Sequence, residues 1–270
     1  MAPRILSCFG KGSSSHADVA HEKNAMADLT TEEQNCGGAV LVELFSSQGC
    51  GTSPAAELVI SRLGRGDFQL EMPVVVLAFH VDYWDYQGWK DPYGSSQWTV
   101  RQKAYVEALG LDTMFTPQVV VQGKAHCMGN DENALVTAIT EAPRYPAPSF
   151  QASFKKDSPD SLEVSLTGPL RTKVDSNGAN VMVALYECGL VTDCPRGENK
   201  GRVLSNDYVV RKLEKLCTLK DASAKKVVSG TVNFSLWERF NSSKCGVAVF
   251  VQTRSHQILG SQSFTLPDDI

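Results

Sequence analysis

The segment Cys50-Gly-Thr-Ser53-Pro54 is the part of the sequence that most clearly carries chemistry. It stands between a β-branched run and a run with helical apolar spacing, so Cys50 comes just before a helix N-terminus. The free N–H groups and positive dipole end of a helix favour a thiolate over a thiol. The position therefore predicts a nucleophilic cysteine, and the alternative is a small buried cysteine in a connecting loop.

Two further segments have features suited to holding a substrate. Thr116-Pro117 opens a strand, where proline cannot donate to a ladder and where an X–Pro bond can be cis. Gly129-Asn130-Asp131 precedes another helical segment, whose first N–H groups suit a carboxylate. The sequence predicts that these two segments help to bind the substrate of Cys50.

The segment that follows the second apolar run is rich in aromatic and acidic side chains. Within it, Trp84 is predicted to wall a substrate groove and Asp82 to tune the thiol, with packing in an ordinary connecting loop as the alternative for both. His80-x-Asp82 also has a spacing found in metal sites. No third ligand follows at a recognisable spacing, so no metal is expected.

The elements that must position these residues follow the order strand, helix, strand, helix, strand, strand, helix. The second of these strands, Pro73–Phe79, is a continuous apolar run, which is typical of a central strand in a parallel sheet covered on both faces. Three prolines then fall within eight residues, and beyond them the pattern alternates as in an antiparallel sheet. The sequence predicts a flexible leader (1–37), an α/β domain (38–142), a Pro-rich linker (143–148) and an all-β antiparallel sandwich-like domain (149–270).

The composition excludes several classes of protein. The chain has 270 residues, a formal net charge of −4 and 42% apolar residues, which suits a globular protein without an affinity for nucleic acid. No apolar run approaches the roughly 18 residues of a membrane helix, and the N-terminus lacks a secretory core. A cytoplasmic protein with mostly reduced thiols is expected, although a short Ser-rich organelle-targeting segment stays open.

The three site segments together resemble the thioredoxin superfamily, and glutaredoxins in particular. In that family a cis-proline strand pairs with the cysteinyl part of glutathione, a role that falls here to Thr116 and Pro117. The start of a later helix holds the γ-glutamyl end, a role that falls to Gly129, Asn130 and Asp131. The resemblance implies a thioredoxin-like fold, glutathione as co-substrate, and a glutathionylated or disulfide-bearing protein as partner.

A longer series of phrases resembles the thioredoxin-like proteins called the domain-of-unknown-function 1223 family. The phrases are Val42–Phe45, Phe79–Asp85, Gly88–Pro92, Arg101–Tyr105, Phe115–Val119 and Arg196–Asn199. Such a series in order is specific, and it spans nearly all of the chain from Val40 onward. It implies a thioredoxin-like domain followed by a β-sandwich-like domain, and it implies no established substrate.

The chain departs from that family at Ser53, where members often have the second cysteine of Cys-x-x-Cys. A dithiol reaction needs that second thiol to resolve the mixed disulfide. The sequence therefore predicts a monothiol oxidoreductase, in which Cys50 attacks a glutathione mixed disulfide and external glutathione releases it. Ser53 is predicted to cap the helix and to donate a hydrogen bond to the thiolate. Cys127 is the candidate for a distant resolving thiol.

Two other functions stay open at this point. The missing second cysteine and the additional domain also fit a non-catalytic thioredoxin-fold binding or regulatory protein. Cys-Gly-Thr-Ser is also similar to Cys-Gly-Phe-Ser of iron–sulfur monothiol glutaredoxins, where two chains and two glutathiones hold a [2Fe–2S] cluster. That match is four residues long, so no cluster is expected here. Cys188 and Cys194 are predicted to be either free thiols or, in oxidising conditions, a local disulfide.

Overall fold

The computed structural model describes residues 37–268 and residue 270. The predicted leader, 1–37, lies outside the described residues apart from Gly37. The strands are β1 (Val40–Ser46), β2 (Val74–His80), β3 (Gln118–Val121), β4 (Ala125–Met128), β5 (Gln151–Ser158), β6 (Ser161–Pro169), β7 (Ala179–Glu187), β8 (Leu190–Cys194), β9 (Arg202–Asn206), β10 (Val209–Leu219), β11 (Val227–Ser235), β12 (Cys245–Thr253) and β13 (Ile258–Thr265). The α-helices are α1 (Ser53–Gly64), α2 (Ser96–Ala108) and α3 (Glu132–Thr140), and short 3-10 helices lie at Asp85–Gln87 and Ser242–Lys244. No helix in this part of the chain is long and apolar enough to cross a bilayer.

Eight of the strands form one mixed sheet, in the order β13-β12-β7-β10-β2-β1-β3-β4. Strand β1 pairs in parallel with β2 and antiparallel with β3. Strand β10 joins the other edge of β2, where Val209 is paired with Ala78 and the Ala78 N–H donates to the Tyr208 carbonyl at 2.8 Å. Strands from both sides of the predicted linker therefore belong to the same sheet.

The predicted fold class, an α/β thioredoxin-like domain followed by an all-β sandwich, is wrong. The described residues are mostly β, with 41% in strands and 17% in helices, and the large sheet does not end where the predicted α/β domain ends. The order of elements from β1 to α3 is the one that the sequence predicts. The error lies in the pairing, because the contact between β2 and β10 joins residues about 130 positions apart and leaves no local pattern. The division at 143–148 stays a prediction.

Apolar side chains cover both faces of the large sheet. Helices α1 and α3 bury Ile60 and Leu135 against one face. The three-stranded sheet β11-β6-β5 packs residues such as Val164 against the C-terminal strands. A further cluster combines Phe45 of β1 with Phe250 of β12, so the core is continuous across the predicted linker.

A buried polar network lies within this last cluster and is centred on Arg101 of α2. One of its guanidinium nitrogens lies 2.6 Å from Glu43 Oε1, and the guanidinium also donates to the Tyr105 hydroxyl at 3.2 Å and to Gln252 Oε1 at 3.3 Å. Its carbon lies 5.1 Å from the centroid of the Phe79 ring. The network connects β1, α2 and β12. Most of its residues come from Val42–Phe45 and Arg101–Tyr105, two of the phrases that carry the sequence resemblance.

Candidate functional site

Cys50 lies in the loop between β1 and α1, at the carboxyl end of β1. The residue is buried, with 3% of its surface exposed. Its Sγ lies 3.3 Å from Thr52 Oγ1 and donates to the Thr116 carbonyl oxygen at 3.6 Å. The structure therefore brings Cys50 beside the residue that precedes Pro117, although about 65 residues separate them in the sequence.

Ser53 contributes a hydroxyl to this site. The prediction that it caps the helix is wrong. Helix α1 begins at Ser53, and the cap position is held by Thr52, which makes no side-chain capping bond. The Ser53 Oγ instead accepts a hydrogen bond from the Ser47 N–H at 3.3 Å. Because that oxygen already accepts, its own proton is available to the Cys50 sulfur.

Hydrogen bonds decide the ionisation of the Cys50 thiol. Burial raises the pKa of this thiol, but hydrogen bonds with the side chains of Ser53, Thr116 and Thr52 outweigh burial and lower the pKa below its ordinary value. The Thr116 Oγ1 accepts from Trp84 Nε1 at 2.7 Å, so its own proton is also free to face the sulfur. Trp84 therefore acts through Thr116, beside the sulfur. The arrangement favours a reactive thiolate.

Replacing Ser53 with alanine is expected to slow alkylation of Cys50 by iodoacetamide at neutral pH, by roughly two- to tenfold, the effect of losing one hydrogen bond. The thiol pKa rises in this variant because a group that lowers it is gone. The measurement is the pH dependence of the alkylation rate, with Ser205→Ala, at an exposed serine, as the matched control. A pH profile identical to that of the wild type would show that Ser53 does not stabilise the thiolate.

The segment predicted to bind a carboxylate, Gly129 to Asp131, lies beside Pro117 and is already bonded within the protein. The Thr116–Pro117 peptide bond is cis, and the Pro117 carbonyl accepts from the Gly129 N–H at 2.9 Å. Asp131 is the N-cap of α3, and its Oδ1 accepts from an N–H in the first turn at 3.0 Å. Asn130 is exposed. A carboxylate of glutathione would have to share this helix end with Asp131.

Cys127, the candidate resolving thiol, has an unreactive environment. It lies on β4, half-buried against the apolar cluster under α1 and α3. Burial and the charge of Asp131 raise the pKa of Cys127 to about 11, so the thiol is protonated near neutral pH. The six cysteines within the described residues are free thiols, Cys188 and Cys194 among them.

A buried charged cluster that sequence reasoning missed supports the Cys50 loop. His80 is fully buried, with Nδ1 2.7 Å from Asp91 Oδ2 and Nε2 3.3 Å from Glu57 Oε1. Burial lowers the pKa of His80, but the two carboxylates have the larger combined effect and raise the pKa to about 10. Asp91 Oδ2 also accepts from the Gln48 N–H at 2.7 Å. Since both ring nitrogens face carboxylates, His80 holds the loop and is not a base for Cys50.

Asp82, which was predicted to tune the thiol, is bonded to helix α2. Its Oδ1 accepts from the Thr99 hydroxyl at 2.6 Å. Within the described part of the chain, no group of three or more His, Cys, Asp or Glu side chains is placed to hold a metal ion.

The loop between β8 and β9 also reaches the site, although it lies about 150 residues further along the chain. Asn199 is 1% exposed, and its Nδ2 donates to the carbonyls of Gln48 at 2.9 Å and Cys50 at 3.0 Å. Arg202 donates to the Asn199 Oδ1 at 2.8 Å. The one sequence signal for this contact is that Arg196–Asn199 is among the phrases of the family resemblance. Asn199 therefore fixes the backbone on which Cys50 stands.

Comparison with protein families identifies the chain. The family model described as "Protein of unknown function (DUF1223)" matches residues 41–252. The chain belongs to the DUF1223 family. The match includes both Cys50 and Asn199, so the DUF1223 region contains the whole of the site described above.

Two solved structures are similar to this DUF1223 protein over most of its length. A crystal structure of a protein from Agrobacterium tumefaciens is 26% identical, covers 86% of this chain and 95% of its own, and has a TM-score of 0.58. HBP35 of Porphyromonas gingivalis is 14% identical, covers 85% of this chain and 76% of its own, and has a TM-score of 0.56, which shows a shared fold alone. No curated protein matches the sequence.

Proposed function

We propose that this DUF1223 protein is a monothiol thiol–disulfide oxidoreductase in which Cys50 is the nucleophile. The observation that carries the proposal is the set of hydroxyl groups from Ser53, Thr116 and Thr52 that lower the pKa of the Cys50 thiol. A thiolate is the species that attacks a disulfide. The Cys-x-x-Ser motif next to the Thr116–Pro117 segment supports the same chemistry, because it resembles the active sites of glutaredoxins.

The reaction needs one protein thiol and one external thiol. The Cys50 thiolate attacks the glutathionyl sulfur of a mixed disulfide, and the partner protein leaves as a thiolate that takes a proton from water. The thiolate of a second glutathione, the proposed co-substrate, then attacks the glutathionyl sulfur bound to Cys50. Glutathione disulfide leaves and the Cys50 thiolate returns, so the mixed disulfide is reduced and one glutathione is oxidised. Ser53 has no thiol, so no disulfide forms within the motif.

The burial of Cys50 limits the substrate. Only 3% of the residue is exposed, and Trp84 lies against the loop that carries it. A disulfide on a flexible segment can extend to the sulfur, whereas one recessed in a folded surface cannot. We therefore propose that the partner is a protein with its disulfide in a mobile segment.

Replacing Cys50 with serine is expected to abolish release of the peptide thiol from a glutathionylated peptide, because the attacking sulfur is gone. Replacing Cys127 with serine is expected to leave most of the turnover, because that thiol stays protonated. The measurement is glutathione disulfide formation under excess glutathione, with the wild type and both variants at equal concentration. Equal loss in the two variants would contradict the monothiol scheme.

The same burial favours a second candidate function, a non-catalytic binding or regulatory protein. In that case Cys50 is a structural residue whose loop is held by Asn199 and by the His80 cluster. The wild type would then show no exchange with the glutathionylated peptide, and Cys50 would alkylate with the pKa of an ordinary thiol, about 8.5.

A further inference from the structure

The loop of residues 195–201 places one exposed residue, Glu198, beside the Cys50 loop. On one flank of Glu198, Asn199 is anchored on the Cys50 carbonyl. On the other flank, Gly197 has a φ of +72°, and a Cβ built there would lie 3.0 Å from the Cβ of Trp89. The backbone on both sides of Glu198 is therefore held against the site.

The carboxylate of Glu198 lies directly over Gly51, the residue that follows Cys50. A Cβ built on Gly51 would lie 2.7 Å from Glu198 Oε2, so the carboxylate is close to the Gly51 backbone. Among the described residues, no ion pair within 4 Å includes Glu198, and the nearby Arg202 guanidinium is bonded to Asn199. An unpaired negative charge thus stands at the loop that carries the nucleophile.

A charge beside the residue that follows a reacting cysteine acts on charged reactants. Coulomb attraction or repulsion between groups a few ångströms apart is appreciable near a protein surface, and it weakens as salt shortens the Debye length. A carboxylate at the mouth of a site therefore raises the local concentration of cations and lowers that of anions.

We propose that Glu198 is a specificity residue that selects substrates of Cys50 by charge. It favours mixed disulfides whose peptide half carries Lys or Arg next to the disulfide, and it disfavours those with acidic neighbours. This inference rests on the proposed oxidoreductase function and narrows its substrate class to disulfides in basic segments.

The first test compares two glutathionylated peptides that differ in flanking Lys or Glu residues. The wild type is expected to show a kcat/KM for the Lys peptide higher by about fivefold or more, and Glu198→Gln to bring the two values close together. Salt at about 1 M, where the Debye length is near 3 Å, should shrink the wild-type preference in the same way. The matched control is Glu71→Gln, at an exposed glutamate just before β2 begins. This variant should keep the wild-type ratio of the two kcat/KM values. An unchanged ratio in Glu198→Gln would overturn the inference.

A second measurement separates this inference from the proposed function, because it requires no disulfide exchange. Anionic iodoacetate and neutral iodoacetamide alkylate the same thiolate, and the modified Cys50 peptide is quantified by mass spectrometry. Glu198→Gln is expected to speed iodoacetate by about fivefold relative to iodoacetamide. A changed ratio in a protein without exchange activity would support the charge role and reject the oxidoreductase. An unchanged ratio in an active protein whose Cys50→Ser variant is inactive would reject the charge role alone.

Discussion

Replacing His80 with glutamine is expected to lower the free energy of unfolding by about 3–5 kcal/mol, the usual effect of removing one partner of a buried ion pair. His80 is fully buried between the carboxylates of Asp91 and Glu57, which are themselves 1% and 3% exposed. Without the imidazolium, both carboxylates lose their cation while they stay out of water. The measurement is urea unfolding followed by tryptophan fluorescence.

The control for this prediction is His126→Gln, at an exposed histidine of β4, where the change should stay within about 0.5 kcal/mol. The pH dependence gives an independent check. The pKa of His80 is about 10 in the folded protein and near 6.5 in the unfolded chain, so the folded state holds the extra proton between these values. The stabilisation by His80 is therefore complete below pH 6.5 and is lost as the pH rises through 10. A variant that keeps the wild-type slope over this range would contradict the assignment.

Replacing Arg101 with methionine is expected to have a second large effect, again a loss of about 3–5 kcal/mol. The methionine fills part of the space of the arginine stem, but Glu43 is then left as a buried charge 1% exposed at its side chain. The Tyr105 and Gln252 side chains also lose the guanidinium donor. The measurement is the unfolding midpoint and slope in urea, which together report the free energy.

The matched variant for Arg101 is the double replacement Arg101→Met with Glu43→Gln. Neutralising both members removes the uncompensated charge, so the double variant is expected to be more stable than Arg101→Met alone. If the losses of stability in the single variants Arg101→Met and Glu43→Gln simply add up to the loss in the double variant, the ion pair between Arg101 and Glu43 makes no contribution of its own. The prediction would then fail.

Local patterns in the sequence were sufficient to place the elements on which the site is built. The run before Cys50 predicts β1, the apolar spacing after it predicts α1, and Asp131 caps α3 because an aspartate just before a helix accepts from its first N–H groups. The same reasoning predicts a capping role for Ser53 that is wrong. A serine at a helix start can also accept a hydrogen bond from outside the helix, as Ser53 does here from Ser47. These inferences succeed or fail on contacts within a few residues.

The contacts that complete the site depend on distant parts of the chain. Nothing in the local pattern around Asn199 or Glu198 shows that their loop covers Cys50, because the contact forms only when β9 packs against α1. Glu57 is equally concealed, as a charge within an amphipathic helix is expected to face water and this one is 3% exposed. The fold class was missed for the same reason, at the pairing of β2 with β10.

That pairing has a consequence for the protein during its synthesis. Strand β2 has β1 on one side, and its other side stays open until β10 leaves the ribosome about 130 residues later. At about 5–20 residues per second this interval lasts roughly 7–25 s. For that time a continuous apolar strand presents unpaired backbone groups to other chains. The open edge of β2 is therefore prone to aggregation during this interval. Because Asn199 is synthesised equally late, the Cys50 site is completed only after a similar interval.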